Sequence, residues 1–360
     1  MNTTFNNRRQ LLKKELSGRH LDALLVTQPA NWYYLTGFTG ESGALLCGRK
    51  AATLVTDGRF AIQAGQETAG IEVLLQKGGL FEAIGEFVKK QGGRRIGYDP
   101  TQLTVAQFTA LKKASGTKYE WVSSPGLVES QRHRKEAAEL AQMRKAAILA
   151  GDVVELVLPR LKPGVREIEI AAEIDYQMRR RGASGPAFES IVAFGERGAL
   201  PHARPTSKRL RKNELVVLDL GVILGHYCSD ITRTVFVGKA SARVQGWYKA
   251  VLEAQTAAIA AVHDGAACGD VDAAARQVLA GYHLDRYFVH STGHGLGLEV
   301  HEDPRVARGQ KQRLVPGNVI TIEPGVYVEG VGGIRIEDDV AVHADRTEIL
   351  TRIPRDLIEL

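Results

Sequence analysis

The sequence predicts an α/β N-terminal domain followed by an α+β domain with a pseudo-twofold internal repeat. Three observations carry this reading. A length of 360 residues favours two domains over one. Short apolar runs alternate with helical patterns through the first third of the chain. Beyond it, one order of elements occurs twice: helix, glycine turn, helix, histidine segment and carboxylate-bearing hairpin. The punctuation Ser123-Ser124-Pro125-Gly126 separates the two regimes. The boundary falls between residues 124 and 134, giving domains 1–128 and 129–360.

In chain order, Leu21–Val26 is a short apolar run, and Gly43–Cys47 with Ala51–Thr56 is a strand pair turning at Gly48-Arg49-Lys50. Phe60–Thr68 and Leu80–Gln91 have helical patterns, Arg95–Tyr98 reads as a strand, and Val105–Lys113 as a helix. A long amphipathic helix runs from about Arg134 to Leu158, with apolar residues at Leu140, Met143, Ile148 and Val153. Lys162-Pro163-Gly164 ends it, and a second helix, Arg166–Arg181, follows. The second repeat has its glycine turn at Asp264-Gly265 and its second helix at Val271–Gly281.

Each repeat then closes in a hairpin with two carboxylates. In the first, Leu215–Val237, a turn centred on Leu224-Gly225 sets Asp219 opposite Asp230. In the second, Val319–Val342, a turn centred on Gly330 sets Glu323 opposite Glu337. Directly opposed residues of an antiparallel ladder have Cβ atoms about 5 Å apart. Four buried like charges need compensation, and two divalent cations would supply it. Asp219 and Glu323 hold corresponding places in the two repeats, as do Asp230 and Glu337, so both hairpins are expected at one central site.

Composition narrows the function classes. A hydrophobic content of 44% is ordinary for a globular protein. The sequence has no apolar run near 18 residues, and Met1–Gln10 lacks the apolar stretch of a signal peptide. Cys47, Cys228 and Cys268 are odd in number and widely spaced, fitting neither a disulfide framework nor a thiolate metal site. A cytoplasmic location and no membrane partner are expected. The net charge of +6 includes the cluster Lys208-Arg209-Leu210-Arg211-Lys212. Without interleaved aromatics it reads as a solvated approach to a strand rather than a nucleic-acid surface.

An oxygen-rich set with one imidazole suits Mn²⁺, Co²⁺, Fe²⁺ or Zn²⁺. The imidazole candidate is His294, in Gly293-His294-Gly295-Leu296-Gly297, where the glycines leave room for close backbone approach. Two metals can activate a water and polarise a carbonyl, which is hydrolytic chemistry. His202, His290 and His301 stand near this set as candidates for proton transfer or oxyanion donation. Arg335 shares a strand face with Glu337 and is expected to steady a carboxylate or bind an anionic substrate end. His20, His133, His226, His263, His283 and His343 are read as structural, and Asp338-Asp339 as an exposed acidic turn.

Several motifs together resemble the M24 metallopeptidases. They are Asp219-Leu220-Gly221, Ser229-Asp230-Ile231-Thr232-Arg233-Thr234, Gly293-His294-Gly295-Leu296-Gly297, His301-Glu302-Asp303-Pro304, Glu323-Pro324-Gly325 and Gly333-Ile334-Arg335-Ile336-Glu337-Asp338. Tyr34-Leu35-Thr36-Gly37-Phe38-Thr39-Gly40 and Thr56-Asp57-Gly58-Arg59-Phe60 resemble the N-terminal domain of creatinase and prolidase. The match is similar to the Xaa-Pro branch, aminopeptidase P and prolidase. It implies a pita-bread fold for the second domain and two divalent metal ions, manganese or cobalt favoured over zinc or iron. Asp219 would chelate one ion, His294 and Glu323 the other, with Asp230 and Glu337 bridging. The resemblance further implies that His202 and His301 stabilise the tetrahedral intermediate and move a proton. It places His290 in the substrate pocket, sets Arg335 beside the bridging glutamate, and implies a homodimer acting on proline-containing peptides.

Three other readings stand beside this one. Methionine aminopeptidase shares the five ligands but usually lacks an N-terminal domain of this size. A non-catalytic interaction module of the same fold typically loses ligands, whereas all five candidates are present here. Creatinase lacks the ligands that Asp219 and Asp230 represent.

Overall fold

The computed structural model describes residues 2–68, 70–90 and 93–360. The chain divides into two compact units between Arg132 and His133. The N-terminal unit is an α/β layer around a mixed sheet of β1 (Ala23–Val26), β2 (Ala44–Gly48), β3 (Ala52–Thr56), β4 (Glu72–Leu75), β5 (Arg95–Tyr98) and β6 (Glu120–Ser123), in the order β4-β3-β2-β1-β5-β6. The β1–β2 and β2–β3 pairs are antiparallel, and the other pairs are parallel. Strand β1 is buried along its whole length, as a central strand covered on both faces should be.

The helices of this unit are α1 (Asn2–Gly18), α2 (Pro29–Thr36), α3 (Ala61–Glu67), α4 (Leu80–Val88), α5 (Val105–Ser115) and α6 (Glu129–Arg132). The core joins Leu25, Leu46, Val55, Ile84, Phe87, Ile96 and Leu111. The helix expected over Leu80–Gln91 ends at Val88 in the structure, and Gln91 lies outside the described residues. Helices α1 and α2 were not expected: α1 is mostly polar, and α2, eight residues opening on Pro29, is too short to show a helical period. Leu12 and Leu16, one turn apart, are fully buried in α1. Arg8 and Arg9 donate to the carbonyls of Tyr34 and Leu35 at the end of α2, where helix carbonyls lack internal partners. Gly37 closes α2 in the left-handed conformation.

The second unit carries two long helix pairs, α7 (Ala137–Val157) with α8 (Glu167–Arg180), and α9 (Ala242–Ala260) with α10 (Cys268–Gly281). Its strands are β7 (Gly185–Pro186), β8 (Ile191–Phe194), β9 (Glu214–Leu220), β10 (Val222–Leu224), β11 (Tyr227–Cys228), β12 (Ile231–Val237), β13 (Gly293–Gly295), β14 (Glu302–Val306), β15 (Val319–Ile322), β16 (Gly325–Val328), β17 (Gly332–Arg335), β18 (Asp338–Val342), β19 (Thr347–Ile349) and β20 (Ile358–Glu359). They form sheets in the orders β20-β12-β9-β8, β14-β13-β15-β18-β19 and β11-β10-β7, with β16–β17 as a separate ribbon. Helices α7 and α8 bury their apolar faces on the first sheet through Val153, Ile170, Ile174, Val216 and Val235. Helices α9 and α10 do so on the second through Val251, Val271, Ile320 and Val340.

The internal repeat is visible bond by bond. Gly164 N–H donates to Leu210 O at 2.8 Å, and Gly265 N–H to Leu314 O at 2.9 Å. Leu210 and Leu314 return bonds of 2.8 Å to Val165 O and Ala266 O. Arg209 and Arg313 reach back to the carbonyls of Gly164 and Gly265. Matching bridges join Arg166 to Arg209 and Ala267 to Arg313, each just before the second helix of its pair.

The two hairpins differ in how well their registers were anticipated. In the second, β16–β17 pairs Gly325 with Arg335 and β15–β18 pairs Ile322 with Asp338, both centred on Gly330 as expected. In the first, Asp219 pairs with Thr232 and not with Asp230, which lies outside the ladder. The turn is centred on Gly225 and His226, which take φ of 54° and 73°. Two-residue hairpins favour a turn with both central residues at positive φ, and this moves the centre one position along. Asp219 and Asp230 are therefore offset rather than directly opposed. Asp338 and Asp339 are 1% exposed and form no exposed turn.

Candidate metal centre

Strands β9, β12, β13, β15 and β18 end or pass beside one another, and their carboxylates collect where the ladders break. Asp230, His294 and Glu337 bring ligand atoms within 4.8 Å of one another. Glu323 joins them, its Oε1 lying 3.5 Å from His294 Nε2, while Asp230 Oδ2 is 3.8 Å from the same nitrogen. Asp219 comes in from β9 with its Oδ2 held by Arg335 at 2.5 Å. The structure thus brings all five expected residues into one buried neighbourhood, three of them as a tight group.

Two observations test whether cations fit. Asp219 Oδ1 and Asp230 Oδ1 are buried without a hydrogen-bond partner, which is costly unless something positive faces them. Burial, together with the neighbouring carboxylates, pushes Asp230 and Glu337 well above the usual carboxylate range. Burial foremost, with Asp219 adding, pushes Glu323 up to about 8. Arg335 offsets part of this charge. The residues present therefore suit hard or borderline divalent cations.

The imidazole ligand is pre-set. His294 Nδ1 lies 3.0 Å from Gly295 O, which fixes the proton there and leaves Nε2 to face the carboxylates. Burial presses His294 down to about 4, so the ring is neutral near pH 7. The flanking glycines serve as anticipated: a Cβ at Gly293 would collide with Thr321 O, and one at Gly295 with Asp303 O.

Around the carboxylates lies a set of supporting groups. Arg335 donates Nε to Thr232 Oγ1 at 3.1 Å and Nη1 to Tyr327 Oη at 2.6 Å and Pro201 O at 3.2 Å. Thr232 donates its hydroxyl to Glu337 Oε2 at 2.5 Å. Tyr327 Oη lies 2.8 Å from His290 Nε2, and His290 Nδ1 lies 2.8 Å from Ser291 O. The bonds run in one direction: Arg335 to Tyr327, Tyr327 to His290, His290 to Ser291. Burial, then the Arg335 charge, lowers His290 to about 4 and keeps it neutral. Asp339 accepts the Asp230 N–H at 3.1 Å, and Thr321 Oγ1 meets both His294 N–H and Glu323.

His301 stacks edge-on against His294 with ring centroids 4.5 Å apart. The residue as a whole is exposed while its ring is partly buried beside His294, and that partial burial, ahead of the nearby His202, lowers it. His202 is likewise exposed. Of the groups that support the site, sequence reasoning missed Thr232, Asp339 and Thr321, which touch Glu337, Asp230 and Glu323, and Tyr327, which joins Arg335 to His290. Each lies inside a quoted motif or within two residues of one, and nearness to the motifs was the only signal that could have found them.

Comparison with known proteins follows the two units. Residues 141–344 match metallopeptidase family M24, and residues 8–133 match the creatinase/prolidase N-terminal domain. The Xaa-Pro dipeptidase of Pyrococcus horikoshii is 35% identical over 94% of this chain and 95% of its own. The solved structure of the Xaa-Pro dipeptidase from Bacillus anthracis is 36% identical, with a TM-score of 0.95 over 99% of this chain and 100% of that one. That of the X-Pro aminopeptidase from Thermotoga maritima is 34% identical, with a TM-score of 0.88 over 96% and 99%.

Proposed function

The chain belongs to metallopeptidase family M24, and we propose that it hydrolyses the peptide bond between an N-terminal residue and proline. One observation carries the reading. Four carboxylates and a neutral histidine share a buried site, with two oxygens left unpartnered, in a chain similar to Xaa-Pro hydrolases over nearly its whole length.

Asp219, Asp230, His294, Glu323 and Glu337 would hold two divalent cations, manganese or cobalt favoured over zinc or iron. Such ions, when bound, lower the pKa of a water and polarise a carbonyl. The remaining work falls to the chain's own side chains. His202 and His301 offer ring N–H groups to the oxygen that gains charge, and supply a proton to the departing nitrogen. His290, kept neutral and aimed by Tyr327, lines the substrate pocket. Arg335 holds Asp219 and, through Thr232, Glu337.

An Xaa-Pro bond is a tertiary amide with no N–H. A peptidase that docks on that N–H loses a contact, whereas a pocket shaped to the pyrrolidine ring recovers affinity from apolar burial. The chain is further proposed to work as a homodimer, as its resemblance implies, and in the cytoplasm, where three buried cysteines that form no disulfide are at home. Among the described residues no helix is long and apolar enough to cross a membrane.

Purified protein with added Mn²⁺, offered Ala-Pro and Ala-Ala, tests the reading. Cleavage of Ala-Pro with Ala-Ala left intact is expected, and equal rates on both would contradict it. Ala-Pro-Ala-Ala then separates an aminopeptidase, which cuts it, from a dipeptidase, which does not.

A further inference from the structure

Each half of the catalytic unit holds its histidine-bearing segment with the same three kinds of side chain. In the first half the carboxylate is Glu167, in the first turn of α8 and fully buried. Its Oε1 accepts Phe194 N–H at 2.9 Å and Arg197 Nε at 3.0 Å. Its Oε2 accepts both the N–H and the hydroxyl of Thr206, at 2.9 and 2.6 Å. Arg197 also donates to Arg204 O at 2.6 Å. These bonds fasten both ends of the segment that carries His202.

In the second half the carboxylate is Asp272, on α10 and 1% exposed. Its Oδ1 accepts both the N–H and the hydroxyl of Thr292, at 3.2 and 2.8 Å. Its Oδ2 accepts Arg276 Nε at 2.7 Å. Arg276 then donates to Phe288 O at 3.1 Å and His290 O at 2.5 Å, with its guanidinium 4.2 Å from the centre of the Phe288 ring. Thr292 O in turn accepts the N–H of Glu323 at 2.8 Å. The His290 segment is fastened at both ends, and one fastening continues to a carboxylate of the metal site.

An Asp–Arg pair one helical turn apart usually decorates a solvent face and contributes a few tenths of a kcal/mol. Asp272 and Glu167 are instead buried, and they spend their oxygens on distant backbone. Buried acids so placed are costly unless every lone pair is used, so the arrangement is better explained by the segments it fixes than by the stability it adds.

We propose that Glu167–Arg197–Thr206 and Asp272–Arg276–Thr292 are two equivalent positioning clamps, which set His202 and His290 for the reaction. This rests on the reading that those histidines face the substrate. The clamp residues touch no reacting atom, and their effect passes through the segments they hold.

Arg276→Lys is the sharpest variant, because lysine keeps the charge beside Asp272 but lacks the fork that reaches two carbonyls. On Ala-Pro with saturating Mn²⁺, kcat/KM is expected to fall about 10- to 100-fold, the scale of a small misplacement. In the His290→Ala background the same change should cost less than about twofold, because the group being positioned is gone. A full multiplicative loss in that background, or no loss in the wild type, overturns the proposal. Hydrogen exchange on metal-free protein gives a readout free of activity. Amides of residues 288–292 should exchange about tenfold or more faster in Arg276→Lys, with α9 unchanged; unchanged exchange in 288–292 also overturns it. If the wild type fails to cleave Ala-Pro, the functional reading falls, and the exchange experiment still decides the clamp. Thr292→Val removes only a hydroxyl and serves as the second variant should Arg276→Lys not fold.

Discussion

In the first hairpin Asp219 lies within the β9–β12 ladder and Asp230 just outside it, whereas in the second Glu323 and Glu337 both stand where one ladder stops and another starts. The backbone at those breaks must find partners elsewhere. Glu323 N–H goes to Thr292 O, and Glu337 N–H goes to Thr232 O of the first hairpin, at 2.8 and 3.1 Å. The first pair leans on the second in return: Arg335 holds Asp219 and Asp339 holds Asp230. Neither hairpin completes its carboxylates alone. The site is a property of the two repeats laced together, and perturbing the lacing should act on both.

The largest effect is expected at Glu337, the residue tied to both hairpins. Glu337→Gln should bring hydrolysis of Ala-Pro to background and weaken Mn²⁺ binding, with far-UV circular dichroism unchanged. Near-normal turnover would remove it from the metal set. Next is His301, exposed and tied to neither ladder. His301→Ala should lower kcat by about 10²–10⁴ if the ring donates to the intermediate or moves a proton. A loss under tenfold would make it a packing residue.

Thr232→Val cuts the lacing itself, removing the hydroxyl between Arg335 and Glu337. Groups that orient a metal ligand typically matter by about 10- to 100-fold, so Mn²⁺ affinity measured by titration calorimetry should fall within that range. An unchanged affinity would mean that the first hairpin does not support the second.

The smallest effect lies away from the site. Glu348 on β19 is gripped by Arg144 of α7 in the other repeat, and His343 adds a further bond. The Arg144 hydrogen bonds, with help from His343, lower Glu348 to about 2. A carboxylate lowered by folding contributes its stability above its unfolded pKa, and loses it as pH falls through the folded value. Between roughly pH 4.5 and 2 this contribution disappears. Glu348→Gln should therefore lower stability by about 1 kcal/mol at pH 7 and flatten the dependence of Tm on pH over the acid range. An unaltered pH profile would show that the pair contributes nothing.

How much of this was legible follows from which residues announce themselves. All five candidate ligands were readable, because acids inside apolar strands and a histidine between glycines are out of place in ordinary patterns. The register at Gly330 was readable because glycine marks the turn. The register at Gly225 was not, since nothing in sequence says that His226 will accept a positive φ. Asp338 was misread for a similar reason. Three acids in a row look solvated until Arg233, Thr351 and Gln255 are seen around it. Glu167, Asp272 and Arg276 drew no attention in the sequence, because many of their partners are backbone groups far along the chain. Side chains that act on distant backbone leave little trace in local pattern, whereas ligands collected in strands leave a strong one.

A crystal structure of the Mn²⁺-loaded protein, with anomalous data at the manganese edge, tests the central claim most directly. Two anomalous peaks enclosed by Asp219, Asp230, His294, Glu323 and Glu337 are the predicted result. No peak there, or ions bound elsewhere while these side chains remain as they are, would contradict the account.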